Sequence, residues 1–167
     1  MNTILAPTDE MLFNGLSAFV KKHLGKVITV RGYVGRLSKP KGSDYVLITP
    51  MTQVATATNS HDYDADAGTV AVNRPTQQSV QIDCYGRQSE SWAKTLAILL
   101  RDELACAFLR QFGFAPLYVE NAMDLSQPDG REEYARRWML GCMVHNLVTV
   151  TTEQDFFDGV TLQMRRV

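Results

Sequence analysis

Three aspartates at alternate positions, Asp62, Asp64 and Asp66, are the part of the sequence most suggestive of metal chemistry. Carboxylates at this spacing open the calcium-binding loop of helix–loop–helix proteins. That loop also needs glycine at its sixth position and glutamate at its twelfth, where this sequence has Ala67 and Asn73. We therefore predict a solvated acidic loop and no metal ligand in this segment.

The histidines and cysteines do not form a catalytic or metal-binding pattern either. The histidines, at 23, 61 and 145, are not spaced as metal ligands, and none lies beside a serine or cysteine in a nucleophile motif. The cysteines are Cys84, Cys106 and Cys142. They include no C-x-x-C pair and lie among apolar residues, so we interpret them as buried free thiols.

We considered Asp83, Glu90 and Lys94 as a metal-dependent nuclease site. Their spacing does not bring them together on one metal ion, so we do not predict such a site. The glycines at 32, 35 and 42 do not form a phosphate-binding or dinucleotide-binding fingerprint. We predict no catalytic residue, no cofactor and no metal site. The sequence therefore favours a protein that is not an enzyme.

Composition indicates one globular domain spanning residues 1–167. Hydrophobic residues make up 45% of the chain, enough for a core of its own. Lysine and arginine total 17 and aspartate and glutamate 18, so the net charge is −1. A nearly neutral chain argues against neutralising nucleic-acid phosphates as its main task. No apolar run is long enough to span a bilayer, and the first residues do not resemble a signal peptide.

Apolar residues at three- and four-residue intervals predict two helices. The first covers residues 9–23, with Thr8 as its N-cap and Gly25 beyond its end. The second covers residues 89–112, with an apolar stripe that includes Trp92, Leu96 and Leu104. Both helices have a polar face, so we expect them to pack on a sheet.

Alternating and β-branched residues predict the strands. They are expected at residues 27–34, 45–49, 79–85, 116–119, 133–152 and 160–167. The strand at 133–152 is apolar on both faces, so we expect it to be central and covered on both sides. The predicted fold class is α+β: a mixed, mostly antiparallel sheet flanked by two helices, with a long extended arm between strands.

The predicted arm covers about residues 53–75, which are polar and rich in alanine, threonine and aspartate. We expect an extended β-hairpin with its tip at residues 61–68. A segment without core residues of its own is usually functional or disordered. We therefore predict that the arm is disordered in the lone subunit and ordered in an assembly.

The order of several motifs resembles the neck and tail-terminator proteins of long-tailed phages. A V-Q-x-D-x-Y-G strand at residues 80–86 is followed by an R-D-x-x-x-C-x-F-L helix at 101–109. A P-L-Y element at 116–118 and a G-x-x-x-Y-x-x-R-W element at 130–138 come next. The segments 146–150 and 154–157 resemble the end of the family's long strand and its closing motif. The arm contains an A-T-N-x-x-x-Y-D motif at residues 57–64.

The resemblance implies a structural protein of the virion neck, assembled in the host cytoplasm. Such proteins form a ring, expected to be a hexamer, that caps the tail tube and joins it to the head connector. Its expected partners are further copies of itself, a head-completion or connector protein above, and the tube and possibly the sheath below. DNA is expected to pass through the ring without specific binding. The alternative is another head–tail connector adaptor or a tube component.

Six polar or charged residues are our candidates for contacts between subunits. Four belong to the arm and two flank the glycines of the preceding turn. They are Asn59, Tyr63, Asp64, Arg74, Arg31 and Arg36. The head-to-tail contacts of a ring join one surface of a subunit to a different surface of the next, so these residues need not contact their own equivalents.

Overall fold

The computed structural model describes residues 3–33, 44–129 and 133–154. Its elements, in chain order, are β1 (Ile4–Ala6), α1 (Asp9–Leu24), β2 (Ile28–Arg31), β3 (Tyr45–Ala55), β4 (Ser60–Asp64), β5 (Thr69–Tyr85), α2 (Ser89–Leu99), α3 (Glu103–Leu109), β6 (Phe114–Val119), β7 (Met123–Asp124), β8 (Gln127–Asp129), β9 (Glu133–Ala135) and β10 (Arg137–Glu153). A short 3-10 helix, Arg110–Phe112, follows α3. The α+β class is confirmed.

Helix α1 begins and ends where its capping residues predict. The Thr8 hydroxyl accepts a hydrogen bond from the Met11 amide at 3.3 Å, which satisfies one of the unpaired donors of the first turn. At the other end, Gly25 adopts a φ of 78°, and its amide donates to the Lys21 carbonyl at 3.1 Å. The prediction of residues 9–23 is confirmed, with one further residue.

The second predicted helix is two helices, and the prediction of one continuous helix over residues 89–112 is wrong. Asp102 has extended backbone angles, and its carboxylate accepts a hydrogen bond from the Leu104 amide at 3.0 Å. Aspartate in this conformation starts a new helix, because its oxygen replaces the missing backbone acceptor. The break turns Leu104 out of the apolar stripe, and it is 57% exposed.

Eight strands form one mixed sheet. Its main order is β1-β10-β5-β3-β2, while β4 pairs with β5 and both β6 and β7 pair with β10. Among the described strands, β2 and β3 are parallel, and every other pair in the sheet is antiparallel. The predicted mostly antiparallel sheet is confirmed. Strands β8 and β9 form a separate two-stranded hairpin.

Strand β5 is much longer than the sequence pattern indicated, and it pairs with β10 along its whole length. All 17 residues of each are paired, from Arg137 opposite Tyr85 to Glu153 opposite Thr69. At the usual rise per residue this ribbon is about 55 Å long. The predicted strand at 79–85 therefore begins ten residues earlier, inside the predicted arm, and the strand predicted at 133–152 is divided into β9 and β10.

The described helices pack on one face of the sheet. The core joins Leu12, Leu16, Phe19, Leu96 and Leu109 of the helices to Ile48, Val80, Ile82, Leu140 and Val144 of the strands. These strand residues alternate with half-buried ones, as expected for a sheet with one packed face. Strand β10 is central, as predicted. Among the described elements, however, no helix covers its second face.

Strand β3 continues through Pro50, although the predicted strand ends at residue 49. A register shift between Pro50 and Gln53 interrupts its pairing with β5, and the strand then continues to Ala55. Proline cannot donate a ladder hydrogen bond, and a bulge removes the need for one. The predicted strand at residues 160–167 lies outside the described residues.

Candidate subunit interface in the extended half of the sheet

The β5–β10 ribbon has two halves with different surroundings. We call residues 69–75 of β5, residues 147–153 of β10, and strands β1 and β4 the extended half. Its order is β1-β10-β5-β4, and the pairing is antiparallel throughout. We call residues 80–85 of β5, residues 137–142 of β10, and the strands and helices packed on them the helix-covered half. The arm predicted from the sequence is therefore one side of a four-stranded unit.

The tip of the hairpin is a tight turn at residues 65–68, narrower than the predicted 61–68. The Asp64 carboxylate accepts a hydrogen bond from the Ala67 amide at 3.0 Å. Gly68 has a φ of 61°, a conformation that glycine adopts without steric cost. Asp64 therefore stabilises the turn in addition to being one of the interface candidates.

A chain of side-chain hydrogen bonds ties β4 to the ribbon. The Thr149 hydroxyl lies 2.7 Å from the Asn73 Oδ1 and donates to it. The Asn73 amide nitrogen donates to the Asp62 carboxylate at 2.6 Å. Asn73 is buried, so both bonds satisfy polar groups removed from water. Asp62 is thus hydrogen-bonded within its own chain.

The structure brings four interface candidates together on the hairpin. The Arg74 Nε donates to the Asn59 Oδ1 at 2.8 Å across the base of the hairpin. Tyr63 is 61% exposed, and its ring lies parallel to that of His61, with 6.2 Å between centroids. Asp64 lies at the tip and on the opposite face of the hairpin from Tyr63 and Arg74, so the four candidates are distributed over both faces.

Arg31 is not part of this group. It lies in β2 opposite Ile48, which in turn is opposite Ile82 of β5. Arg74 precedes Ile82 by eight residues on the same strand, so the two arginines are about 26 Å apart along the sheet. Arg36 lies outside the described residues. Contacts between subunits through these two arginines therefore stay a proposal separate from the hairpin.

Sequence reasoning missed β1, which forms the other edge of the extended half. Its residues Ile4 and Leu5 are 59% and 52% exposed although both are large and apolar. Pro7, which follows the strand directly, limits it to three residues. The available signal was a short apolar run before a proline, which is too weak to reveal a strand without knowledge of β10.

A groove of about 580 Å³ lies beside α2 in the helix-covered half. It is lined by Lys94, Ala97, Ile98, Arg101, Asn121 and Ala122 together with Asp102. Ile98 is 70% exposed, and Arg101 donates through Nε to the Val119 carbonyl at 2.8 Å. The sequence signal for this groove was Ile98, an apolar residue that lies outside the apolar stripe of its helix. Both cations of the groove already have partners in the chain, since Lys94 also pairs with Glu90 at 2.5 Å.

A buried ion pair lies on the face of the helix-covered half that is opposite the helices. The Asp83 side chain is 1% exposed and lies 3.0 Å from the Arg137 Nη2. Gln81 donates to the second carboxylate oxygen at 2.8 Å. Tyr45 and Tyr85 stack beside this pair, with 4.6 Å between ring centroids. Burial, followed by the nearby Asp83 charge, raises the pKa of both tyrosines.

Of the three cysteines predicted to be buried free thiols, Cys84 and Cys142 are buried and Cys106 is half-buried. Burial raises the pKa of Cys84 and of Cys142 to about 12, so both remain protonated thiols at neutral pH. Within residues 3–33, 44–129 and 133–154, no three histidine, cysteine or acidic side chains converge as a metal cluster. No helix in those ranges is long and apolar enough to cross a membrane.

Comparison with known families identifies the class of protein. Residues 12–164 match the family model of phage neck terminator proteins. This match covers most of the 167 residues, and the chain belongs to the phage neck terminator family. It is therefore a structural component of the virion tail, as the ordered motifs indicated.

A solved structure supports the fold. The chain is similar to the sheath/tube terminator of the PVC extracellular contractile injection system in its extended state, with a TM-score of 0.52 and 15% sequence identity. The alignment covers 100% of this chain but 64% of that terminator, so the relative is substantially longer. No curated protein matches the sequence.

Proposed function

We propose that copies of this chain close into a ring, expected to be a hexamer, that caps the tail tube and connects it to the head. The connector or head-completion protein binds above the ring, and the tube, with the sheath where one exists, binds below. Membership in the terminator family carries this proposal. The protein acts by assembly and not by catalysis, and it is built into the virion in the host cytoplasm.

The extended half supports assembly because it buries little of its own surface. Every residue of β4 is exposed, and the large side chains Ile4, Leu5 and Leu147 are each about half exposed. Where an antiparallel sheet extends beyond its helices, no second layer of secondary structure packs on it. Another copy of the chain can replace that layer, so the extended half is the part of the molecule that fits an interface.

The face of the extended half away from the helices suits a channel for DNA. Asn73, Thr149 and Asp62 lie on this face, as their hydrogen bonds require. Strand alternation puts Arg74 on the other face. Among the described residues of these four strands, the face of Asn73 carries no lysine or arginine, while Asp62, Asp64 and Glu153 share its alternation. Such a surface does not hold phosphates, so DNA can move past it.

Native mass spectrometry of the purified chain, alone and mixed with tail tubes, tests the proposed ring. The expected species is a closed oligomer of six copies that remains bound to tube ends. A strict monomer under both conditions would overturn the proposal. Copy number in isolated particles separates the terminator from a tube component, since a terminator contributes one ring and a tube protein contributes many tens of copies.

Salt titration tests the DNA part of the proposal. We expect the assembled ring to retain double-stranded DNA no better at 50 mM than at 200 mM salt, because a surface without cations releases few counterions. The variant Thr151→Lys with Glu153→Lys adds cations to the same face without changing Asn73, and it should create salt-dependent retention. Strong retention by the unmodified ring would contradict a non-binding channel.

A further inference from the structure

Two strands of the extended half present open edges. Among the described residues, β4 pairs only with β5 and β1 pairs only with β10. The residues of β4 are all exposed, and Ile4 and Leu5 of β1 are more than half exposed. A strand that pairs on one side only can accept another strand on its other side. The molecule therefore has two sites for strand addition, on opposite sides of one four-stranded unit.

The edges at β6 and β3 carry features that hinder such pairing, and β4 and β1 do not; the β2 edge is also regular but lies in the helix-covered half. Strand β6 contains Pro116 and a register shift opposite Met143 and Val144. Strand β3 contains Pro50 and a register shift of its own. Prolines and bulges are the usual means of blocking an edge strand. Strands β4 and β1 contain neither, so their edges are regular enough to accept a partner.

The two open edges lie at the same height along the ribbon. Leu5 is opposite Val150, Val150 is opposite Val72, and Val72 is opposite His61. The rows on either side connect Ile4 to Asp62 and Ala6 to Ser60 in the same way. Edges at one height let neighbouring copies join without a step along the strands, which favours a closed ring over an open helix.

Strand direction is compatible with the same arrangement. The four strands alternate in direction from β1 to β4, so β1 and β4 run in opposite directions. When copies stand side by side in one orientation, β4 of one copy meets β1 of the next as an antiparallel pair. The alternation then continues across the boundary, and Leu5 falls on the same face as His61 and Tyr63.

We propose that the open edge of β4 pairs antiparallel with the open edge of β1 in the next copy. Each copy then adds four strands to one continuous sheet around the ring. The partner of this surface is a second copy of the chain, and the contact joins two different surfaces. This inference rests on the proposed ring and specifies which strands close it.

Cysteine pairs across the proposed seam test the inference. Leu5 and His61 of one chain are separated by three strand spacings, about 14 Å, which is too far for a disulfide within a copy. In a Cys106→Ser background, L5C with H61C should give a ladder of disulfide-linked copies that ends at the ring size. L5C with Y63C samples the register shifted by two residues, which keeps the faces aligned.

Matched controls separate this inference from the ring itself. L5C with I28C places the second cysteine on the exposed β2 edge, and we expect at least about tenfold less linked product from it. An equal mixture of L5C and H61C single variants should stop at linked dimers. Linked dimers from H61C alone would indicate β4–β4 pairing and overturn the proposal.

Ring formation is measured first for each reduced variant, so that a folding defect is recognised. If the unmodified chain forms rings but neither cysteine pair links copies above the I28C control, the β4–β1 seam is wrong and the ring stands. If the unmodified chain remains monomeric with tail tubes present, the proposed function itself fails.

Discussion

The two halves of the β5–β10 ribbon have the same backbone pairing but different side chains around them. In the helix-covered half, Ile82 and Leu140 face each other under three helices and are fully buried. In the extended half, Val72 and Val150 form a pair on the same face of the ribbon, and both are only half-buried. Backbone hydrogen bonds are therefore continuous along the ribbon, whereas apolar burial is not. We infer that one half stabilises the fold and the other serves assembly.

The boundary between the halves is marked by buried polar groups. The Thr76 hydroxyl lies 2.5 Å from the Asn146 Oδ1, and both residues are almost fully buried. One step nearer the helices, the Gln78 side chain donates to the Asp9 carboxylate at the start of α1 at 2.8 Å. Specific hydrogen bonds replace the contiguous hydrophobic core at these positions, and beyond them Val70 is the one buried hydrophobic residue in the described extended half.

The largest contrast is expected for the same substitution at two positions of β10. Leu140→Ala removes a fully buried side chain and should lower the free energy of unfolding by about 3 kcal/mol. Leu147→Ala removes one that is 47% exposed and should cost less than about 1 kcal/mol in the lone subunit. Chemical denaturation measures both, and equal losses would contradict the division into halves.

Removing a polar pair should also lower the free energy of unfolding more in the helix-covered half than in the extended half. Asp83→Ala leaves Arg137 without its partner and should cost about 2 kcal/mol, less than for a fully buried pair because the arginine is one-third exposed. Asn59→Ala breaks the exposed contact with Arg74 and should change stability by no more than about 0.5 kcal/mol. Urea unfolding of both variants checks the order, and a larger effect of Asn59→Ala would reverse our assignment.

A substitution at the boundary between the halves should have an intermediate effect on the free energy of unfolding. Thr76→Val keeps the shape of the side chain but leaves the buried Asn146 amide without this partner, at a cost of about 1 kcal/mol. The control Thr58→Val changes an exposed residue of the hairpin and should be close to neutral. A neutral Thr76→Val would mean that the boundary hydrogen bond contributes nothing to the fold.

The sequence predicts the helix-covered half better than the extended half, for physical reasons. The spacing of Leu12, Leu16 and Phe19 reports burial directly, and Thr8 and Gly25 mark the ends of α1. Asp102 was a recognisable N-cap, but the apolar stripe on both sides of it obscured the break. Local patterns are informative where the residues concerned are buried by elements close in sequence.

The extended half depends on contacts that local patterns do not reveal. Thr69 pairs with Glu153 and Ile4 pairs with Thr151, across more than 80 and 140 residues respectively. The hairpin was predictable from its turn residues, and four of the six interface candidates meet on it. The β1 edge was missed because three residues before Pro7 carry too little periodicity.

Hydrogen exchange of backbone amides before and after ring assembly tests the central claim most directly. In the lone subunit, amides of β4 and β1 should exchange much faster than those at residues 138–144 of β10, because local opening exposes few apolar groups there. Assembly should then protect β4 and β1 strongly and leave residues 138–144 unchanged. Equal protection of the two halves in the subunit, with no gain in β4 or β1 on assembly, would contradict the account.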